Sequence, residues 1–232
     1  MIRVYFHVCG LNNFNEISHK ILAKIKNSGL LDACESINTV YLGNMNDLDA
    51  KLFEEPKINL THFNEEISFC EFPTLTKLWE DSQKESFKTL YVHTKGVSKV
   101  GWNEVQDWLD YFLYFNVDLW KDRVVDLDDW DASSVNLGGE SKNLKQDPSL
   151  WGHGYSSMHY SGNIWWANSS HIKTLPNPMK DYTPSEEWYK YRHMCEMWVC
   201  GKEDGKYKNN WSSNINHYHQ RYDKKLYMKE LT

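Results

Sequence analysis

The chain has no apolar run approaching the roughly 18 residues of a membrane span, so no stretch of it reads as a transmembrane segment. It has no excess of basic residues: 26 Lys and Arg stand against 32 Asp and Glu, a net charge of −6. Phosphate neutralisation along a nucleic acid needs a basic face, so no nucleic-acid partner is expected. There is no CxxC pair. The cysteines are five, Cys9, Cys34, Cys70, Cys195 and Cys200, an odd number without zinc-ligand spacing. They read as free thiols in a reducing compartment. Met1-Ile2-Arg3-Val4 runs straight into a strand pattern and lacks the apolar core of a signal peptide, so the expected location is cytoplasmic. With no internal repeat, low-complexity tract or linker, the 232 residues are expected to form one domain.

Aromatic residues are the surplus, at 15%, with 11 Trp and 14 Tyr. Most such rings fill cores, and a surplus serves carbohydrate, nucleobase or partner surfaces.

Hydrophobic periodicity predicts alternating strands and helices. Residues 2–8 alternate as a strand, and Phe14, Ile17, Ile21 and Ile25 recur at helical spacing up to Gly29. Strands follow over 37–42 and 58–63. Pro73 opens a helix carried by Leu75, Leu78 and Trp79. Residues 87–93 form a nearly continuous apolar strand of the kind buried in a parallel sheet. The spacing of Val105, Trp108, Leu109, Phe112 and Leu119 predicts one helix over 102–120. A strand near 133–137, a long polar loop over 138–154, a strand over 164–167, a short helix from Ser170, a helix over 186–200 and a polar loop over 201–214 complete the chain. The order implies an α/β fold, a central, mostly parallel twisted sheet flanked by helices.

In an open α/β sheet, ligands sit beyond the carboxyl ends of the strands. The first strand ends in His7-Val8-Cys9-Gly10 and the fourth in His93-Thr94-Lys95-Gly96. Lys95 supplies a cation, Thr94 a hydroxyl, His93 a base or metal ligand, and Gly96 a tight turn, a set that suits a phosphate or diphosphate. The plainer reading is a surface turn with a solvated lysine. A second segment, His159-Tyr160-Ser161-Gly162-Asn163-Ile164-Trp165-Trp166, joins a small polar turn to two indoles. Such a segment can grip a hydroxyl-rich ring, or simply feed a buried strand. On a strand, neighbouring side chains point to opposite faces, so at most one indole can face a pocket.

Over 90–167 the chain resembles glycosyltransferase-like proteins of the nucleotide-sugar-binding GT-A fold. The likeness is to small viral and bacterial members with a YxHTKG strand end and an HYSGNxWW segment; a chlorovirus glycosyltransferase domain is of this type. The resemblance implies transfer of a sugar from a nucleoside diphosphate donor, a UDP-sugar, to a hydroxyl acceptor such as a growing glycan. It implies a nucleotide-binding half over 1–100 and an acceptor half over 101–232. His7, Val8, Cys9, His93, Thr94, Lys95 and Gly96 would then bind the donor. His159, Ser161, Gly162, Asn163 and Trp166 would bind the sugar or acceptor, with Trp166 as one wall and Trp151 closing from the loop. An Asp-x-Asp holding Mn²⁺ is the family's rule at the fourth strand end. Here His93-Thr94-Lys95 stands there instead, which puts the manganese in doubt. His93, His217 and His219 are the candidate ligands, and Arg221 a further diphosphate partner. The strings Asp47/Asp49, Asp126/Asp128 and Asp129/Asp131 are the carboxylate alternatives. Glu196 is the expected general base on the acceptor hydroxyl, with Asp131 second.

A non-catalytic carbohydrate- or nucleotide-binding module would use the same aromatic pocket. A methyltransferase-type fold lacks its glycine-rich loop, for which Cys9-Gly10-Leu11-Asn12 is a poor substitute.

Overall fold

The computed structural model describes residues 1–138, 158–180 and 188–228, and for 188–191 the backbone alone. Seven strands form the central sheet: β1 (Ile2–Cys9), β2 (Ser36–Leu42), β3 (Ile58–Asn64), β4 (Lys88–His93), β5 (Ala132–Ser134), β8 (Trp165–Asn168) and β9 (Tyr207–Asn209). Their order is β3-β2-β1-β4-β8-β5-β9. Every pairing is parallel except the two made by β8, which runs against both β4 and β5. β6 (Leu137–Gly138) and β7 (His159–Tyr160) form a separate short ladder. The expected α/β fold, a mostly parallel sheet flanked by helices, is the one observed.

The helices are α1 (Phe14–Asn27), α2 (Leu30–Ala33), α3 (Phe72–Ser82), α4 (Asn103–Leu113), α5 (Trp120–Asp126), α6 (Ser169–Ile172) and α7 (Trp188–Trp198). Strand alternation sorts the core into two layers. Val4, Phe6 and Val8 of β1 and Leu90 and Val92 of β4 pack with Phe14, Ile17, Ile21 and Ile25 of α1 and with Trp108 and Phe112 of α4. Tyr5 and Tyr91 point the other way, into a cluster with Leu75 and Leu78 of α3 and Cys195 and Trp198 of α7. Each such buried side chain contributes about 1.5–3 kcal/mol. Among the described residues, no helix is long and apolar enough to cross a membrane.

The structure departs from the sequence pattern at three elements. The helix expected over 102–120 is interrupted by a π-helical turn, Tyr114–Asp118, before α5. There the Asn116 amide donates to the Phe112 carbonyl at 3.1 Å, and the Asn116 carbonyl accepts the Trp166 indole N–H at 2.8 Å. The widened turn gives a buried indole its partner. Within the loop expected over 201–214, β9 pairs with β5; three residues without alternation carry no strand signal of their own. The strand expected near 133–137 is split into β5 and β6. Most of the loop expected over 138–154, Trp151 with it, lies outside the described residues.

Candidate functional site

The parallel strands β1 and β4 end side by side, His7 opposite His93. The two ends are tied by the backbone bond Thr94 N–H to His7 O and by the Thr94 hydroxyl accepting Cys9 N–H, each 3.0 Å. Beyond them lies an open cleft of about 850 Å³, mouth included. His7, Cys9, His93, Thr94, Lys95 and Gly96 all line it, joined by Glu71 from the start of α3 and Arg192 from α7. Gly96 sits at φ +90°, where a Cβ would come within 2.7 Å of Val105 Cγ1, so the turn that presents Lys95 needs glycine.

The floor of the cleft is a closed hydrogen-bond chain. Trp165 Nε1–H donates to Asn163 Oδ1 at 2.7 Å, which fixes the amide so that Asn163 Nδ2 donates to Glu71 Oε2. His93 Nε2 lies 3.0 Å from the Gly162 carbonyl, and Nδ1 lies 3.4 Å from Glu71 Oε1. A carbonyl only accepts, so Nε2 carries the proton and Nδ1 turns a lone pair toward Glu71. Burial, and then the neighbouring Lys95 charge, holds His93 neutral, its pKa pushed down to about 3. Burial likewise raises the Glu71 carboxyl above the ordinary carboxylate value. His7 Nδ1 lies 2.8 Å from Thr74 Oγ1, and burial lowers its pKa to about 4.

Lys95 is only 5% exposed, and its ammonium lies 3.6 Å from the centre of the Trp108 ring. Burial lowers its pKa to about 8, with Glu196 working in the opposite direction. Arg192 and Glu196 stand four residues apart on α7, on one helix face, and both act electrostatically on Lys95 and Glu71.

Several expected site residues lie elsewhere. Val8 points to the opposite face of β1 and is core. Trp166 is fully buried in the same layer, and Trp165 is fully buried in the other. β8 is an inner strand covered on both faces, so neither indole forms a sugar wall. Asp131 precedes β5 at the amino-terminal edge of the sheet: its carbonyl accepts Asn168 N–H, and Asn168 pairs with Lys88 at the start of β4. It therefore lies at the edge opposite the cleft, with its carboxylate on Lys206 N–H at 2.9 Å. Ser161 lines a neighbouring cavity, and His159 sits in the β6–β7 ladder opposite Gly138. Gly162, at φ +106°, could not carry a Cβ, which would lie 2.3 Å from the Phe112 ring.

The three candidate metal ligands are not brought together. His217 is buried, with its ring 5.0 Å from Trp108 and parallel to it, and its Nε2 lies 2.6 Å from Ser213 Oγ. His219 is exposed on the following turn, so the two rings do not share a face. The Asp-x-Asp strings are engaged too: Asp49 with His19, Asp126 with Lys208 and Ser133, Asp128 with Lys88. Arg221 forms a two-pronged pair with Asp107. Among the described residues, no group of three or more His, Cys, Asp or Glu is placed to hold a metal ion. Where the metal would lie, the strand end presents an ammonium, so the donor set does not fit Mn²⁺.

Glu71 and Arg192 are among the cleft residues that the sequence does not disclose. The only local signal for Glu71 is a carboxylate two residues before Pro73, at a helix start. Arg192 carries no motif.

Two solved structures are similar in overall fold. The galactosyltransferase LgtC, in complex with donor and acceptor sugar analogs, is similar over 89% of this chain and 73% of its own, with 13% identity and a TM-score of 0.44. The 4-diphosphocytidyl-2C-methyl-D-erythritol synthase of Anaerococcus prevotii DSM 20548 is similar over 97% and 94%, with 9% identity and a TM-score of 0.47. Identities this low carry no residue role across. No protein-family model and no curated protein matches the sequence.

Proposed function

We propose that this chain is a glycosyltransferase of GT-A type, transferring a sugar from a UDP-sugar to a hydroxyl of a glycan acceptor. In this reading residues 1–100 carry most of the nucleotide site and residues 101–232 most of the acceptor site, within one domain. The observation that carries it is the pairing of Lys95 and Arg192 in one cleft, at the carboxyl ends of β1 and β4, in an otherwise acidic protein. Cations converging on one cleft suit a diphosphate, and Lys99 lines it as a third. From the two segments that resemble the family, 91–96 and 159–166, residues 93–96 line the cleft, and Gly162 O and Asn163 bond to His93 and Glu71 beneath it.

The chemistry follows from charge placement. Lys95 and Arg192 hold the diphosphate and stabilise the negative charge that grows on it. Glu196, on the same helix face as Arg192, takes the proton of the acceptor hydroxyl. The acceptor oxygen bonds to the anomeric carbon as the bond from that carbon to the diphosphate oxygen breaks, and the electron pair leaves with UDP. Glu71 and Asn163 position His93 and keep the cleft floor rigid. The two cations take the place of a metal.

The test is a thermal-shift panel of UDP, GDP, CMP and ADP, each with Mn²⁺ and with EDTA, followed by assay of UDP release from UDP-sugars. A ligand at about 100 times its Kd stabilises by roughly 2.7 kcal/mol. Selective stabilisation by UDP that EDTA leaves intact, with slow UDP release, is expected. UDP binding without any release would make the protein a nucleotide-binding module. No response to any nucleotide would remove the donor site.

A further inference from the structure

Next to the cleft lies a second cavity, of about 940 Å³ with its mouth included, and the two share Tyr218 as a wall. Its lining differs in kind. A quarter of all residues are Asp, Glu, Lys or Arg, yet among the described residues none of these lines it. Asn214 and Asn216 present amides, Ser161 and Ser212 hydroxyls, and Trp108 and Tyr218 rings. His217 also borders it, held neutral by burial, with a pKa of about 4. Some of these polar groups serve the fold: Asn216 Oδ1 accepts Tyr218 N–H at 3.0 Å, and Ser212 Oγ accepts from Asn209 at 2.7 Å. Within the described residues, the Ser161 hydroxyl and the Asn214 amide make no side-chain hydrogen bond.

We infer that this cavity is the acceptor site, and that its ligand is the uncharged, hydroxyl-rich end of a saccharide. The inference rests on the donor reading of the neighbouring cleft. Amides and hydroxyls both donate and accept, as sugar hydroxyls do, and aromatic rings pack against the apolar face of a pyranose. Among the described residues, no side chain on this wall offers an anionic sugar or a phosphorylated carrier a direct ion pair. Position supports the assignment as well. Tyr218 is 39% exposed, stands edge-on to Trp108 and interacts electrostatically with Arg192 and Glu196. A saccharide against Tyr218 would present a hydroxyl toward the helix face that carries the proposed base. The turn 161–163 links the two sites, with Ser161 in the second cavity and Gly162 O and Asn163 bonded to the floor of the first.

The experiment is saturation-transfer NMR on the whole chain with UDP present. The probes are a panel of neutral saccharides (lactose, cellobiose, maltose, methyl glucoside, methyl mannoside) beside glucuronic acid, sialic acid and glucose 6-phosphate. Two plugging variants, Ser161→Tyr and Ser212→Tyr, are measured in parallel, and UDP binding is followed in every sample. Transfer to at least one neutral saccharide is expected, at least about tenfold weaker in either folded plugging variant, with UDP affinity unchanged. Transfer to none of the neutral saccharides, equal or stronger transfer to the anionic ones, or signals that persist in both plugged variants would overturn it. If UDP binds and no saccharide does, this inference fails alone. If a saccharide binds in the cavity and UDP does not bind, the donor reading fails and the saccharide site stands.

Discussion

The cleft beyond β1 and β4 and the cavity behind Tyr218 adjoin, yet their linings follow opposite rules. The cleft concentrates ionisable groups: Lys95, Arg192, Glu71, His7 and His93 face one space. Among the described residues the cavity has no Asp, Glu, Lys or Arg on its wall. Burial acts on the two in different ways. In the cleft it shifts ionisable groups, raising Glu71 and lowering Lys95 to about 8. In the cavity there is little to titrate, and recognition depends on shape and on hydroxyl partners. A transferase needs both, because one substrate leaves with a charge and the other arrives without one.

The contrast can be broken at four places. The largest effect is expected at Glu196→Gln, which should lower turnover by about 10²–10⁴-fold while UDP affinity stays the same. Steady-state rates beside calorimetric UDP titration check this, and unchanged turnover would leave the base unassigned. Trp166→Ala should cost about 3–5 kcal/mol of stability, read by denaturant melts, without altering UDP affinity in the folded fraction. A loss of affinity at full stability would return the indole to the site. Lys95→Met should weaken UDP binding by about 10–100-fold. In the parent, affinity should fall as pH rises through about 8, because the ammonium loses its proton there, by up to about tenfold per unit. The variant should show a flat profile in the same titration. The smallest effect, taken per unit of pH, is on acid stability. His7 and His93 are neutral in the fold, with pKa values near 4 and 3, against about 6.5 when unfolded. Above pH 6.5 neither state binds the proton. Below it only the unfolded chain does, so stability should fall by about 1.4 kcal/mol per pH unit for each histidine, down to its folded value. Melts of the parent against a His7→Gln variant measure the slope.

Much of this was legible in the sequence, for physical reasons. Local periodicity marks strands and helices, and parallel strands bring their carboxyl ends together, so His7 and Cys9 could be placed beside the 93–96 turn. What could not be read depends on tertiary direction. Asp131 precedes a strand, but which edge of the sheet that strand starts from depends on the reversal at β8. Alternation allowed one of Trp165 and Trp166 to be free; the inner position of β8 buries both. Glu71 and Arg192 reach the cleft from helices whose docking no local pattern encodes, and the cavity wall at 212–218 is irregular backbone without periodicity.

The reversed strand also sets an order of assembly. β1 to β4 are complete by residue 93 and pair among themselves, whereas β5 and β9 join them through β8 alone. β5 leaves the ribosome some thirty residues before the strand that must sit between it and β4. During synthesis the edge of β4 therefore waits unpaired until residues 165–168 arrive and join β5 to it, and β9 follows some forty residues later. Until then the molecule is a four-stranded half with one half-built cleft and a tail that has no register. β8 acts as a keystone: a stretch of four residues whose delay would leave the edges of β4 and β5 exposed.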